Sequence, residues 1–283
     1  MKNIFLNLLL LGFFIGFISC DSDDDQPQEI NPVQNLNLLK EITANGHTIE
    51  IYGDLTKFTV GYNDLYFRLK ESNGNYSNQW IITDFKPVMH MTDRMHSCPV
   101  KLPETTQHHG LKKGFAIFQM PSNADEYWEI NMIYSLNNSE FSITDQIHVV
   151  MPAENVKTVS SFMGTDNSRY VLAYIAPKSP AIAVNDITAV LYKMQDMMNF
   201  VQVENFQIQL DPRMPGMGNH GSPNNQDLSW YAQERLYKGK LSLTMTGYWK
   251  LNLIVKDSAG NVVKGEAVTD ENESSSVFWE LTF

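Results

Sequence analysis

Ten consecutive residues of this chain carry three thioethers, two imidazoles and a thiol: Met89, His90, Met91, Met95, His96 and Cys98, between Pro87 and Pro99. A later stretch, Pro212-Arg213-Met214-Pro215-Gly216-Met217-Gly218-Asn219-His220-Gly221-Ser222-Pro223, repeats the proline, methionine and histidine types. Thioether sulfur is a soft, neutral donor that needs no deprotonation, and with imidazole nitrogen it suits Cu(I) far better than zinc, magnesium or calcium. Such a set can hold copper where thiolates would be protonated or oxidised. Met89 and Met91 sit two apart, so extended backbone turns both sulfurs to one side. His96 and His220 follow within reach of a turn. Met120 and Met245, six residues beyond Gly114 and Gly239, are candidate third ligands arriving from another strand. Cys98 reads either as a ligand or as a buried thiol.

The candidate metal set is therefore Met89, Met91, Met95, His96, Cys98 and Met120 in one place, and Met214, Met217, His220 and Met245 in the other. The competing reading is packing, because methionine is a common core filler and the chain has fourteen. Against packing, the Pro, Gly and Asn content of 212–223 marks a loop, and loops seldom fill cores. A duplicated structural loop would also duplicate its residues, so the recurrence is not independent support. His90 alternates with Met89 and Met91 and points the other way. His108-His109 reads as an exposed loop pair, and His47 and His148 have no sequence neighbour to work with. Trp80, Trp128, Trp230 and Trp249 read as core or interface residues.

The elements around these stretches are strands. From about residue 40 the chain alternates apolar and polar residues in short runs broken by Asn, Gly, Asp and Pro, as in Trp128-Glu129-Ile130-Asn131-Met132-Ile133-Tyr134. Only residues 234–240 could hold a helical turn. The pattern then repeats. Asn63-Asp64 is answered by Asn185-Asp186, Pro87-Val88-Met89 by Pro212-Arg213-Met214, and His96-Ser97-Cys98-Pro99 by His220-Gly221-Ser222-Pro223. Lys113-Gly114 is answered by Lys238-Gly239, and Trp128 by Trp249, at offsets of 121 to 125 residues. Two all-β domains are expected, 36–152 and 153–283. Each is predicted to be an immunoglobulin-like β-sandwich of about seven strands, with a small barrel as the alternative.

The N-terminus sets the compartment. Lys2 precedes a mostly apolar run from Ile4 to Cys20, the layout of a secretory signal over 1–19. The run is short for a spanning helix, and Asp21-Ser22-Asp23-Asp24-Asp25 follows at once; a retained transmembrane helix is the alternative. Phe17-Ile18-Ser19-Cys20 resembles the lipobox of bacterial lipoproteins, which implies lipid on Cys20 and a membrane attachment through it. The acidic run after it resembles the signal that sends some lipoproteins to the outer face of the outer membrane, and residues 20–35 read as a polar tether. A lipidated Cys20 leaves Cys98 without an intrachain disulfide partner. Without Lys2, 20 basic side chains face 32 acidic ones, which argues against nucleic acid as a partner.

The Asn-Asp strand start, the Pro-x-Met stretch leading to His-x-x-Pro, and the Lys-Gly strand with its methionine together resemble the YtkA-like domain. That family groups small exported β-sandwich domains related in shape to FixH-type and copper-resistance periplasmic domains. The resemblance covers about 85 residues of each repeat. It implies a cell-envelope metal role carried on Met89, Met91 and His96 in one copy and on Met214, Met217 and His220 in the other. The copies differ, since Ser222 stands where the first has Cys98. An enzyme is not expected: no Gly-rich phosphate loop, Gly-x-Ser-x-Gly elbow or His-Glu-x-x-His occurs. The expected function is copper handling or delivery, with a metal-receiving or cell-surface protein as partner. The alternative is a metal-free adhesion or docking module.

Overall fold

The computed structural model describes residues 31–283; the signal segment, Cys20 and the acidic run lie outside the described residues. Strand β1 (Asn37–Ala44) turns into β2 (His47–Gly53) through Asn45-Gly46, both at positive φ (56° and 75°). That two-residue turn has a twist matching the strands it joins. Then follow β3 (Phe58–Thr59), β4 (Gly61–Lys70), β5 (Trp80–His90), β6 (Met95–Ser97), β7 (Val100–Thr105), β8 (Lys112–Phe118), β9 (Tyr127–Leu136), β10 (Ser139–Ile147) and β11 (Val149–Val150). In β9 every second residue is buried, namely Trp128, Ile130, Met132, Tyr134 and Leu136. Period-two alternation puts all five on one face, and each such side chain taken from water contributes about 1.5–3 kcal/mol. Sheet β1-β2-β4-β8-β7 faces sheet β10-β9-β5-β6 over a core that includes Phe67, Phe85, Phe118 and Trp128. This is a two-layer β-sandwich.

The second half runs β12 (Val159–Met163), β13 (Arg169–Ala176), β14 (Val184–Met194), β15 (Phe200–Gln202), β16 (Gln207–Met214), β17 (His220–Gly221), β18 (Gln226–Tyr231), β19 (Leu236–Ser242), β20 (Tyr248–Lys256), β21 (Val262–Lys264) and β22 (Val277–Thr282). Its order β12-β13-β14-β19-β18 repeats β1-β2-β4-β8-β7 strand for strand, and β17-β16-β20 repeats β6-β5-β9. Here Gln207 pairs with Ser229 and Ile208 with Leu228, which joins the two layers into one nearly closed sheet of eleven strands. The fold is all-β; the described residues form only two short 3-10 turns besides strands.

The repeated residues perform repeated tasks. Asn63 accepts from the Thr59 N–H and donates to the Thr59 and Gly61 carbonyls. Asn185 accepts from the Ala181 N–H and donates to the Ala181 and Ala183 carbonyls. Each asparagine thus closes the turn that leads into its strand. Trp128 Nε1 donates to the Met120 carbonyl at 2.9 Å, and Trp249 Nε1 to the Met245 carbonyl at 3.0 Å. A Cβ on Gly114 would stand 2.5 Å from the Lys101 carbonyl oxygen, and one on Gly239 equally close to that of Gln226. Only glycine lets the neighbouring strand approach so closely.

Two local expectations are corrected. Residues 234–240 form no helical turn: Arg235 sits at φ 55°, and β19 begins at Leu236, paired with β14 on one side and β18 on the other. The first Met/His stretch is also partly strand rather than loop, because 87–90 lies in β5 and 95–97 is β6, whereas in the second only 212–214 and 220–221 are strand and 215–219 form a turn. Their prolines are tolerated in the ladder, where Pro87 stands opposite Ile130 and Pro212 opposite Leu251.

The two halves pack tightly together. In β13 and β14, Val171, Ala173, Val190 and Tyr192 belong to the first core, while Leu172, Ala189 and Leu191 on the opposite face belong to the second. Lys178 bridges to Asp54 and Asp64 of the first half. Residues 32–283 thus form one compact unit.

Asn63 is buried with all three bonds made, so Asn63→Ala should cost about 1–3 kcal/mol in urea unfolding. The more exposed Asn185→Ala should cost less. Equal, negligible losses would remove the asparagines from that role.

Candidate metal centre

The β5–β6 hairpin sorts the first set of candidate ligands by face. Its register opposes Met89 to His96 and His90 to Met95, and the turn closes with the Met91 N–H donating to the Arg94 carbonyl at 2.9 Å. Directly opposed residues share a face, so Met89 and His96 look inward while His90 and Met95 look outward. Met89 is fully buried in the core. His90 stacks on Tyr127 at 4.8 Å, with Nε2 3.4 Å from Glu129 Oε1 but without hydrogen-bond geometry. Met95 is 50% exposed.

His96 stands at the rim, edge-on to Trp128 at 5.5 Å. Its Nδ1 lies 2.9 Å from the Ser97 carbonyl oxygen. A carbonyl only accepts, so in the neutral ring Nδ1 carries the proton and Nε2 keeps a lone pair for a ligand. The hairpin is pinned beside it by Ser97 Oγ, which donates to the Pro87 carbonyl at 2.8 Å.

Three of the expected residues converge. Met91, His96 and Met120 line one cavity of about 300 Å³, arriving from the end of β5, from β6 and from just beyond β8. Met120 is held there by the Trp128 indole bond to its carbonyl. The other wall comes from the second repeat, with Met194, Met197 and Phe200 on the β14–β15 hairpin. That hairpin is braced by Asp196, whose carboxylate accepts from the Met198 N–H at 2.7 Å and from Asn199 Nδ2. These bonds, the Asn199 side chain first, hold the Asp196 carboxyl below its usual range. Across the junction, the Ser97 N–H donates to the Met197 carbonyl at 2.8 Å.

The cavity also contains Gln119, whose buried Oε1 has no hydrogen-bond partner among the described residues. Leaving such an oxygen unpaired costs about 1–3 kcal/mol. Two guanidiniums, Arg94 and Arg169, complete the rim; Arg94 is neutralised by a two-toothed pair with Asp93. Among the described residues, no three His, Cys, Asp or Glu side chains are grouped to hold a metal. The donor set in the cavity is instead thioether with one imidazole, and it fits Cu(I).

The remaining candidates lie elsewhere. Cys98 is a core residue, and burial pushes its thiol well above the ordinary range, so it is neither thiolate nor accessible. In the second repeat Met214 opposes His220 as Met89 opposes His96. Met214 is buried in the second core and Met245 packs against it, as Met91 and Met120 pack against the first, whereas Met217 is 58% exposed and His220 is exposed. A larger cleft, about 710 Å³ beside Tyr62, Lys101, Tyr192 and Arg235, contains none of the candidate residues.

Sequence reasoning missed Met194 and Met197. Their signal was present in Met194-Gln195-Asp196-Met197-Met198, three thioethers in five residues. Matching one repeat to the other obscured it, because the corresponding hairpin between β4 and β5 has no methionine.

No family model matches the sequence, and no curated protein matches it. Among solved structures, the chain is similar to a DUF4785 family protein from Legionella pneumophila, at 10% identity and a TM-score of 0.25, over 77% of this chain and 55% of that one. The chain thus spans about half the length of that structure, and a likeness this low carries no argument.

The placement of Cys98 has a direct consequence. In the native protein the thiol should resist iodoacetamide at pH 8 and react only once denaturant is added, as mass spectrometry would show; rapid native labelling would contradict the buried placement.

Proposed function

We propose that this chain is a cell-envelope lipoprotein, anchored through Cys20, that binds Cu(I) for handling or delivery to a protein partner. The metal is held at Met91, His96 and Met120. The observation that carries this reading is that those three residues, from separate segments, line one cavity. A further fact supports it: in the neutral ring the tautomer of His96 leaves Nε2 free. The resemblance to YtkA-like domains points the same way, and the lipid on Cys20 places the chain at the outer membrane under this reading.

Anaerobic titration of the chain from residue 21, which keeps the whole unit of 32–283, against a competing Cu(I) chelator tests this. One equivalent should bind with a Kd below about 1 μM, and Met91→Leu, His96→Ala and Met120→Leu should each weaken it about tenfold or more. Met217→Leu and His220→Ala should change nothing. A wild-type chain that binds no Cu(I) tighter than micromolar would sink the reading and leave the docking alternative. The charge of Arg169 gives a finer check: a cation in the cavity is repelled by it, so Arg169→Gln should tighten binding about twofold at low salt, with the gain shrinking as salt is added.

A further inference from the structure

We propose that Met194 and Met197 of the second repeat complete the Cu(I) site begun by Met91, His96 and Met120 of the first, so that one metal ion bridges the two repeats. The inference rests on the Cu(I) reading above. It departs from what a duplicated sequence suggests, namely one equivalent site in each repeat.

Met194 ends β14, paired with Phe200 across the hairpin, and Met197 sits at its tip. Both residues line the same cavity as Met91, His96 and Met120. Packing does not account for Met197, because a residue 40% exposed at a hairpin tip fills no core. Nor is the tip left to swing. The Asp196 carboxylate accepts from the Met198 N–H and from Asn199 Nδ2, and the Ser97–Met197 backbone bond ties the tip to the strand that carries His96. Ligands whose backbones are already fixed lose less freedom on binding, which favours affinity.

The two repeats differ in what covers this end of the sandwich. In the first, the β14–β15 hairpin lies across it. In the second, the matching residues Met217 and His220 are exposed. One site per chain follows, built from two repeats, rather than two sites built from one each.

The test uses the chain from residue 21 and its Met194→Leu/Met197→Leu variant, a swap that conserves volume closely. Cu(I) affinity is measured by anaerobic chelator competition, and the number of sulfur neighbours of bound Cu(I) by X-ray absorption. The proposal expects a loss of affinity of about tenfold or more and fewer sulfur neighbours in the variant, with one equivalent bound by the wild type. Should the double variant melt early by circular dichroism without metal, Met197→Leu alone is read, since that side chain is half exposed. Unchanged affinity and sulfur count, in a protein that Met91→Leu still weakens, overturns the bridge and leaves the first-repeat site standing. Two equivalents, one of them lost with Met217→Leu/His220→Ala, overturns it in favour of one site per repeat. No Cu(I) binding by the wild type overturns both this inference and the reading it rests on.

Discussion

Strands β13 and β14 are buried on both faces, and the arrangement of the whole molecule depends on that. Val171, Ala173, Val190 and Tyr192 close the first core, while Leu172, Ala189 and Leu191 on the opposite face fill the second. A sheet with one wet face would leave each sandwich free to move on a linker. A sheet buried on both faces fixes the angle between them, because sliding it would expose apolar side chains on both sides at about 25 cal/mol for each Å² uncovered. The polar links at the junction, Lys178 with Asp54 and Asp64, are partly exposed and add direction more than stability.

The shared sheet also decides what stands opposite the β5–β6 hairpin. With β14 held against the first core, its extension into β15 carries Met194, Met197 and Phe200 to the rim where Met91, His96 and Met120 emerge. The cavity is therefore a product of the junction. It is lined by four thioethers and a single imidazole, beside Val171 and Phe200. Such a combination suits a soft monovalent cation better than a hard one, since no carboxylate lines it.

Much of the fold was legible because it is local or repeated. Alternation over Trp128–Leu136 marks a strand whatever surrounds it. Asn63 and Asn185 recur because each turn needs the same three bonds, and Gly114 and Gly239 because a neighbouring carbonyl leaves no room for a Cβ. The candidate site was legible only in part. Met91, His96 and Met120, singled out by type and spacing, line one cavity, but Met89 and Cys98, chosen on the same grounds, lie in the core. The reason is the pleat: Met89 and Met91 share a side, and the strand carries one deep into the sandwich while the other stays at its rim. Spacing fixes a side, not a depth.

By itself the sequence determined the strands, their duplication and the chemistry of the donors, since alternation, turn residues and residue type are written position by position. Only the tertiary structure decided which donors could act together. Met194 and Met197 lie about a hundred residues from Met91 and His96, and the two groups meet because a sheet buried on both faces leaves the halves a single way to pack. The two matched Met/His stretches consequently have different surroundings, one covered by a neighbour's hairpin and one exposed, and sequence symmetry cannot show this, because the neighbour that covers the first has no counterpart over the second.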